Sequence, residues 1–97
     1  MYRLLIVDDE PEVAEGLLDI LESLQGDDVE LLSACSAAEA LETLGKVRVD
    51  IVLTDIHMPE MNGLEMYQEI KKRWPRCRVI FISGVRDFDY IYQSIQN

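Results

Sequence analysis

The stretch IVLTDIHMPEMNGLE, residues 51–65, runs from an apolar segment through one aspartate into turn-forming residues and then into a helix start. Residues 51–54 read as a short strand, and a nearly all-apolar run of this kind suits a strand buried on both faces. Pro59 disfavours helix at Met58, and Gly63 tolerates the backbone from which a helix departs. That helix carries Leu64, Tyr67, Ile70 and Trp74 and ends before Pro75. An Asn-Gly pair also suits a hairpin, but helical periodicity follows it here instead of a second strand. Asp55 therefore stands at the end of a strand, where a carboxylate could be a loop residue, a helix cap, a metal ligand or a nucleophile.

The same grammar repeats outward. Residues 3–7 and 79–82 are further nearly all-apolar runs, and 29–34 are a slightly more polar version. Val13, Leu17, Ile20, Leu21 and Leu24 recur at helical spacing between Pro11 and Gly26. Ser36 and Glu39 form a capping-box pattern, Ala40, Leu41 and Leu44 supply an inward stripe, and Gly45 reads as the stop. Phe88, Ile91, Tyr92 and Ile95 suggest a fourth helix, with Asp87 as its cap. Strand and helix thus alternate four times, which predicts an α/β fold: a parallel sheet with helices on both faces and right-handed crossovers. Ligands of such sheets sit outside the carboxyl ends of the strands, where the winding reverses.

Composition bounds what this fold can do. With 97 residues, 48% of them hydrophobic, the chain fits one small domain with one core. A formal net charge of -10, from 19 acidic and 9 basic residues, argues against gripping nucleic acid or lying on an anionic membrane. No apolar run approaches the ~20 residues of a membrane span, and MYRLLIV is too short for a signal segment, so a cytosolic location is expected. Cys35 and Cys77 lack a zinc spacing and are expected to be reduced, buried or half-buried thiols. Trp74, Tyr67, Tyr90 and Tyr92 read as packing and surface residues.

Asp8 and Asp9 follow the first strand, Asp55 the third and Ser83 the fourth, so all four belong to one rim of the sheet. If strands one and three are neighbours, their ends lie about 5 Å apart. Two ionised carboxylates at ~4 Å repel by roughly 4 kcal/mol at an effective dielectric near 20. A shared proton or a bound cation must offset that repulsion. Oxygen ligands, few and without a dedicated loop cage, suit Mg²⁺ that keeps several waters and meets a substrate phosphate; Ca²⁺ would want more protein oxygens. A plainer role is also open to one of the pair, Asp8 or Asp9 capping the helix near Pro11, with Glu10 favouring its dipole.

LIVDDEP, then VDIVLTDIHMPEMNGLE, then VIFISG resemble, in order and spacing, the receiver domain of two-component response regulators. The resemblance covers essentially the whole chain. It implies a flavodoxin-like three-layer fold of strand order 2-1-3-4-5, in which residues 1–97 form a single receiver domain that stops after the fourth helix and lacks the fifth βα unit. It also implies that Asp55 is the phosphoacceptor for a sensor histidine kinase. Asp9 would then be a direct Mg²⁺ ligand, with Asp55 itself and the backbone carbonyl of His57 as further ligands and Asp8 acting through water. Ser83 would reach the phosphoryl oxygens and act as the switch, while Pro59 and Gly63 are structural. The His57 side chain is expected to flank the pocket, since a hard cation prefers oxygen.

The family's fifth strand, with its pocket lysine and aromatic switch residue, and its fifth helix have no counterpart in these residues. The fourth strand is therefore expected to be an open edge that a domain swap, homodimer or partner strand could cover. SGVRDFDYIYQSI is similar to receivers fused to AraC-type helix-turn-helix domains, which implies a transcriptional output domain that makes the DNA contact. Two rivals fit less well. A haloacid-dehalogenase-type phosphatase needs an aspartate where His57 stands, and a flavin or nucleotide binder needs a glycine-rich loop where DDEPE stands. A receiver-fold interaction module that is never phosphorylated is the remaining alternative.

Overall fold

The structure, a computed structural model, describes residues 2–24 and 28–82. Four strands, β1 Tyr2–Val7, β2 Val29–Ala34, β3 Ile51–Thr54 and β4 Arg78–Phe81, alternate with three helices, α1 Pro11–Leu24, α2 Ala37–Lys46 and α3 Gly63–Arg73. The expected fourth helix, with Asp87, Tyr90 and Tyr92, and Ser83 lie outside the described residues. The strands form one parallel sheet of order β2-β1-β3-β4. Because β1 has β2 on one side and β3 on the other, the winding reverses at β1.

Strand alternation sends Leu5 and Val7 of β1 to one face, where they meet Val52 of β3, Leu44 of α2 and Met66 and Ile70 of α3 in one buried cluster. Ile6 points the other way and is fully buried, as is most of Ala14 on α1, the helix that crosses from β1 to β2. Helices thus lie on both faces of the sheet, although on the Ile6 face α1 packs on β1 and β2 while Ile80 of β4, in register with Leu53 and Ile6, is 49% exposed. Each large apolar side chain fully buried contributes roughly 1.5–3 kcal/mol. Tyr67 meets Phe81 edge-on at 5.9 Å between ring centres and ties α3 to β4.

Several local expectations are corrected. On α1, Val13 and Ile20 are 41% and 56% exposed, and the inward position belongs to Ala14, flanked by half-buried Leu17, Leu18 and Leu21. Apolar residues cover more than one face of this helix, so periodicity alone leaves its rotation open. Gly45 does not stop α2; the helix runs on to Lys46, and the Val47 N–H closes the last turn on the Thr43 carbonyl at 3.0 Å. Glu39 closes its capping arm on the Cys35 N–H at 3.1 Å, while Ser36 Oγ accepts the Glu39 N–H at 3.1 Å. On α3 the buried positions are Gly63, Met66 and Ile70, with Leu64, Tyr67 and Trp74 only half-buried. Cys77 is buried, but Cys35 is exposed, and both are free thiols. Among the described residues, no helix is long and apolar enough to cross a membrane.

Candidate functional site

Register decides which side chains meet. Val7 pairs with Thr54 across the β1/β3 junction, so the next residues, Asp8 and Asp55, leave the sheet side by side. The Asp55 N–H extends the ladder onto the Val7 carbonyl at 3.1 Å, and the Asp8 N–H does so onto Ala34 at 3.2 Å. One carboxylate oxygen from each of Asp8, Asp9 and Asp55 lies within 4.8 Å of the others. On the far side of Asp55, the Ile82 N–H donates to the Thr54 carbonyl at 2.9 Å and brings the end of β4 to the same rim.

Asp8 is the buried member, only 7% exposed. Burial raises its pKa above the ordinary 3.8, the Glu10 N–H that it accepts at 2.9 Å works against that rise, and the Asp55 and Asp9 carboxylates add to it. That hydrogen bond ties the loop two residues on, just ahead of α1, instead of capping an amide of the helix itself. Asp55 is held from several sides. Its Oδ1 accepts the Ile56 N–H at 2.8 Å, and its main-chain oxygen accepts the hydroxyl of Thr54, a fully buried residue, at 2.8 Å.

The loop returns under Asp55 through Gly63. The Gly63 N–H donates to the Ile56 carbonyl at 2.8 Å, and a Cβ there would run into the Asp55 main-chain oxygen and lie 3.1 Å from the Ile56 Cα. Gly63 is needed for this close approach, since its φ is not positive. The residue with left-handed backbone in the loop is Glu60, φ 69°. Asn62 and Glu65 then form a complete capping box, the Glu65 N–H to Asn62 Oδ1 at 2.9 Å and the Asn62 N–H to Glu65 Oε1 at 3.0 Å.

Of the residues singled out in the sequence, Asp8, Asp9 and Asp55 come together, while His57 and Pro59 are exposed on the connecting loop. Two supports were missed. Thr54 had a readable signal, a hydroxyl residue closing an apolar strand at the same parity as buried Val52. Asn62 and Glu65 carried the N-x-x-E spacing of a capping box. Carboxylates this close repel one another when ionised, and the push of Asp55 and Asp9 is part of what raises the Asp8 pKa. A hard divalent cation relieves that repulsion, and an all-oxygen donor set fits Mg²⁺.

The family model described as response regulator receiver domain matches residues 4–97. The chain belongs to the response regulator receiver family. Among solved structures, this receiver resembles a response regulator receiver domain protein from Clostridium thermocellum, TM-score 0.85 at 31% identity, over 99% of this chain and 75% of that one. It also resembles a two component transcriptional regulator AraC from Clostridium phytofermentans, TM-score 0.81 at 36% identity, over 93% and 73%. The transcriptional regulatory protein BtsR of Salmonella typhimurium is 43% identical over 99% of this receiver and 44% of its own length. The receiver spans less than half the length of such curated relatives. The sheet order β2-β1-β3-β4 and these neighbours agree with the expected flavodoxin-like fold.

Proposed function

We propose that this receiver takes a phosphoryl group from a sensor histidine kinase onto Asp55. The observation that carries the reading is the meeting of the Asp8, Asp9 and Asp55 carboxylates within 4.8 Å at the junction of β1 and β3. An Asp55 carboxylate oxygen attacks the phosphorus of a phosphohistidine. A P–O bond forms as the P–N bond breaks, and the imidazole nitrogen keeps the electron pair and takes a proton from water. Hydrolysis later returns the Asp55 carboxylate and inorganic phosphate. Such transfer depends mainly on in-line positioning and on neutralising the equatorial oxygens.

Asp9, Asp55 and the His57 main-chain oxygen would hold Mg²⁺, with Asp8 acting through water. The ion supplies positive charge that offsets both the carboxylate cluster and the incoming phosphoryl oxygens. The Ile56 N–H and the Thr54 hydroxyl fix Asp55 from behind, so the nucleophile meets the phosphorus with little rotational freedom to lose. In the same proposal the Ser83 hydroxyl reaches a phosphoryl oxygen and passes the change toward an output domain. Residues 1–97 act in this reading as one signalling unit in the cytoplasm, and no free substrate is turned over.

A transcriptional output is supported by the names of similar proteins, BtsR and MalR both being transcriptional regulatory proteins. An AraC-type output is supported by the likeness to the Clostridium phytofermentans regulator. DNA contact would then fall to that output domain, since this segment is acidic. The phosphoacceptor assignment is tested by treating the acetyl-phosphate-charged protein with borohydride, which reduces an aspartyl phosphate to homoserine, and sequencing the peptides. Homoserine at position 55 supports the proposal; homoserine at position 8 or 9, or at none, overturns it.

A further inference from the structure

At the opposite end of the strands from the carboxylates, the chain's charge is reversed. Nine Lys and Arg stand in the sequence, Arg86 lies outside the described residues, and the other eight all fall at or near the strand starts and the ends of α2 and α3. Helix C-termini favour cations, which accounts for Lys46 and for Lys71, Lys72 and Arg73. It does not account for Arg48, Arg76 and Arg78, which lie on connections or at the start of β4.

Two of these connections and the helix ends before them, residues 44–50 and 73–77, line an open hollow of about 640 Å³. Lys46, Arg48, Arg73 and Arg76 line it against a single carboxylate, Asp50, so the lining carries a formal charge of 4 − 1 = +3 on a chain of -10. Apolar surface lies between the charges: Val47 is 37% exposed, Trp74 is half-buried, and the Arg73 guanidinium lies over the Trp74 ring at 4.8 Å. Of the ion pairs here, Lys46 with Glu42 at 3.0 Å is exposed on both sides, a kind that holds little energy and exchanges readily, while Arg48 lies 3.7 Å from the half-buried Asp50, which also accepts the Arg3 N–H. Arg76 forms no ion pair among the described residues.

The four residues of β3 separate this hollow from Asp55 by roughly 13 Å, beyond the ~8 Å over which charges act in physiological salt. The acidic rim therefore does not cancel the basic end. We infer that the hollow between the α2–β3 and α3–β4 connections is a docking site for a short acidic segment of a partner protein that carries a large apolar side chain. Arg and Trp flanking a concave apolar surface are the composition of an interface centre. A nucleic acid fits less well, because Asp28 and Glu30 at the start of β2 stand at the same end of the strands and would face a long polyanion. This site is separate from the phosphoacceptor reading, and a failure of either leaves the other standing.

The test is a titration of the ¹⁵N-labelled chain, followed by amide shifts, with a short synthetic peptide of Asp and Glu around one central Leu. Shifts confined to residues 44–50 and 73–77 are expected, with affinity about tenfold weaker in Arg73→Glu/Arg76→Glu. That variant should instead gain binding to the same peptide with Lys in place of every acid, and Arg76→Glu alone, in an exposed turn, gives the same direction if the double variant does not fold. Asp55→Asn should bind as the unaltered chain does. Absence of shifts, shifts elsewhere, or stronger perturbation of the same residues by a DNA duplex would overturn the inference. So would the same shifts arising merely on concentrating the protein, which would assign the hollow to a second copy.

Discussion

A methyl group on Gly63 would collide with the main-chain oxygen of Asp55, so the start of α3 and the end of β3 are packed against each other with no room for a side chain. Gly63→Ala must push the two apart. The substitution is expected to destabilise by about 1–3 kcal/mol and to slow phosphorylation of Asp55 together with it. Urea unfolding beside a phosphorylation time course checks both; an unchanged midpoint would mean that the contact relaxes freely.

The buried Asp8 carboxyl makes stability depend on pH. Its folded pKa lies above the ordinary 3.8, so the native state keeps this proton to a higher pH than the unfolded chain does. The contribution is full below that ordinary value and is lost as pH rises through the folded pKa. In metal-free buffer Asp8→Asn is therefore expected to remove this decline and to melt higher than the unaltered protein at neutral pH. Added Mg²⁺ should stabilise the unaltered protein more than the variant. Parallel melting curves across the acidic-to-neutral range would contradict this.

Asn62 closes one arm of the capping box at the start of α3. Asn62→Ala should cost about 1 kcal/mol in chemical unfolding, and Asn62→Asp, which keeps the acceptor oxygen, much less. Equal losses would place the effect outside the cap.

Met66 is fully buried and Ile20 is more than half exposed. Met66→Ala is expected to cost about 2–5 kcal/mol and Ile20→Ala no more than about 0.5 kcal/mol. The reverse order in unfolding midpoints would mean that α1 packs by the face carrying Val13 and Ile20.

That last pair marks where the sequence stops being legible. Alternation of strands and helices, and the position of Asp8 and Asp55 just past their strands, could be read because strand ends in a parallel sheet share one rim. The rotation of α1 could not, because Val13, Ala14, Leu17, Leu18, Ile20 and Leu21 cover more than one side, and only the packing against β1 and β2 selects Ala14. Gly45 looked like a stop, yet a glycine in a last turn is tolerated when the next amide still finds its carbonyl. Gly63 was noticed for backbone freedom, whereas its role is steric and depends on how closely Asp55 approaches from another element. The Thr54 hydroxyl on the Asp55 carbonyl and the basic hollow opposite the carboxylates both depend on the folded chain to bring their parts together.

The central claim, that three converging aspartates make Asp55 a metal-dependent phosphoacceptor, is tested most directly by intact-protein mass after incubation with acetyl phosphate. The protein with Mg²⁺ should gain a single phosphoryl group, and neither Asp55→Asn with Mg²⁺ nor the unaltered protein in EDTA should gain any. A gain that survives in Asp55→Asn or in EDTA, or no gain with Mg²⁺ present, would contradict it.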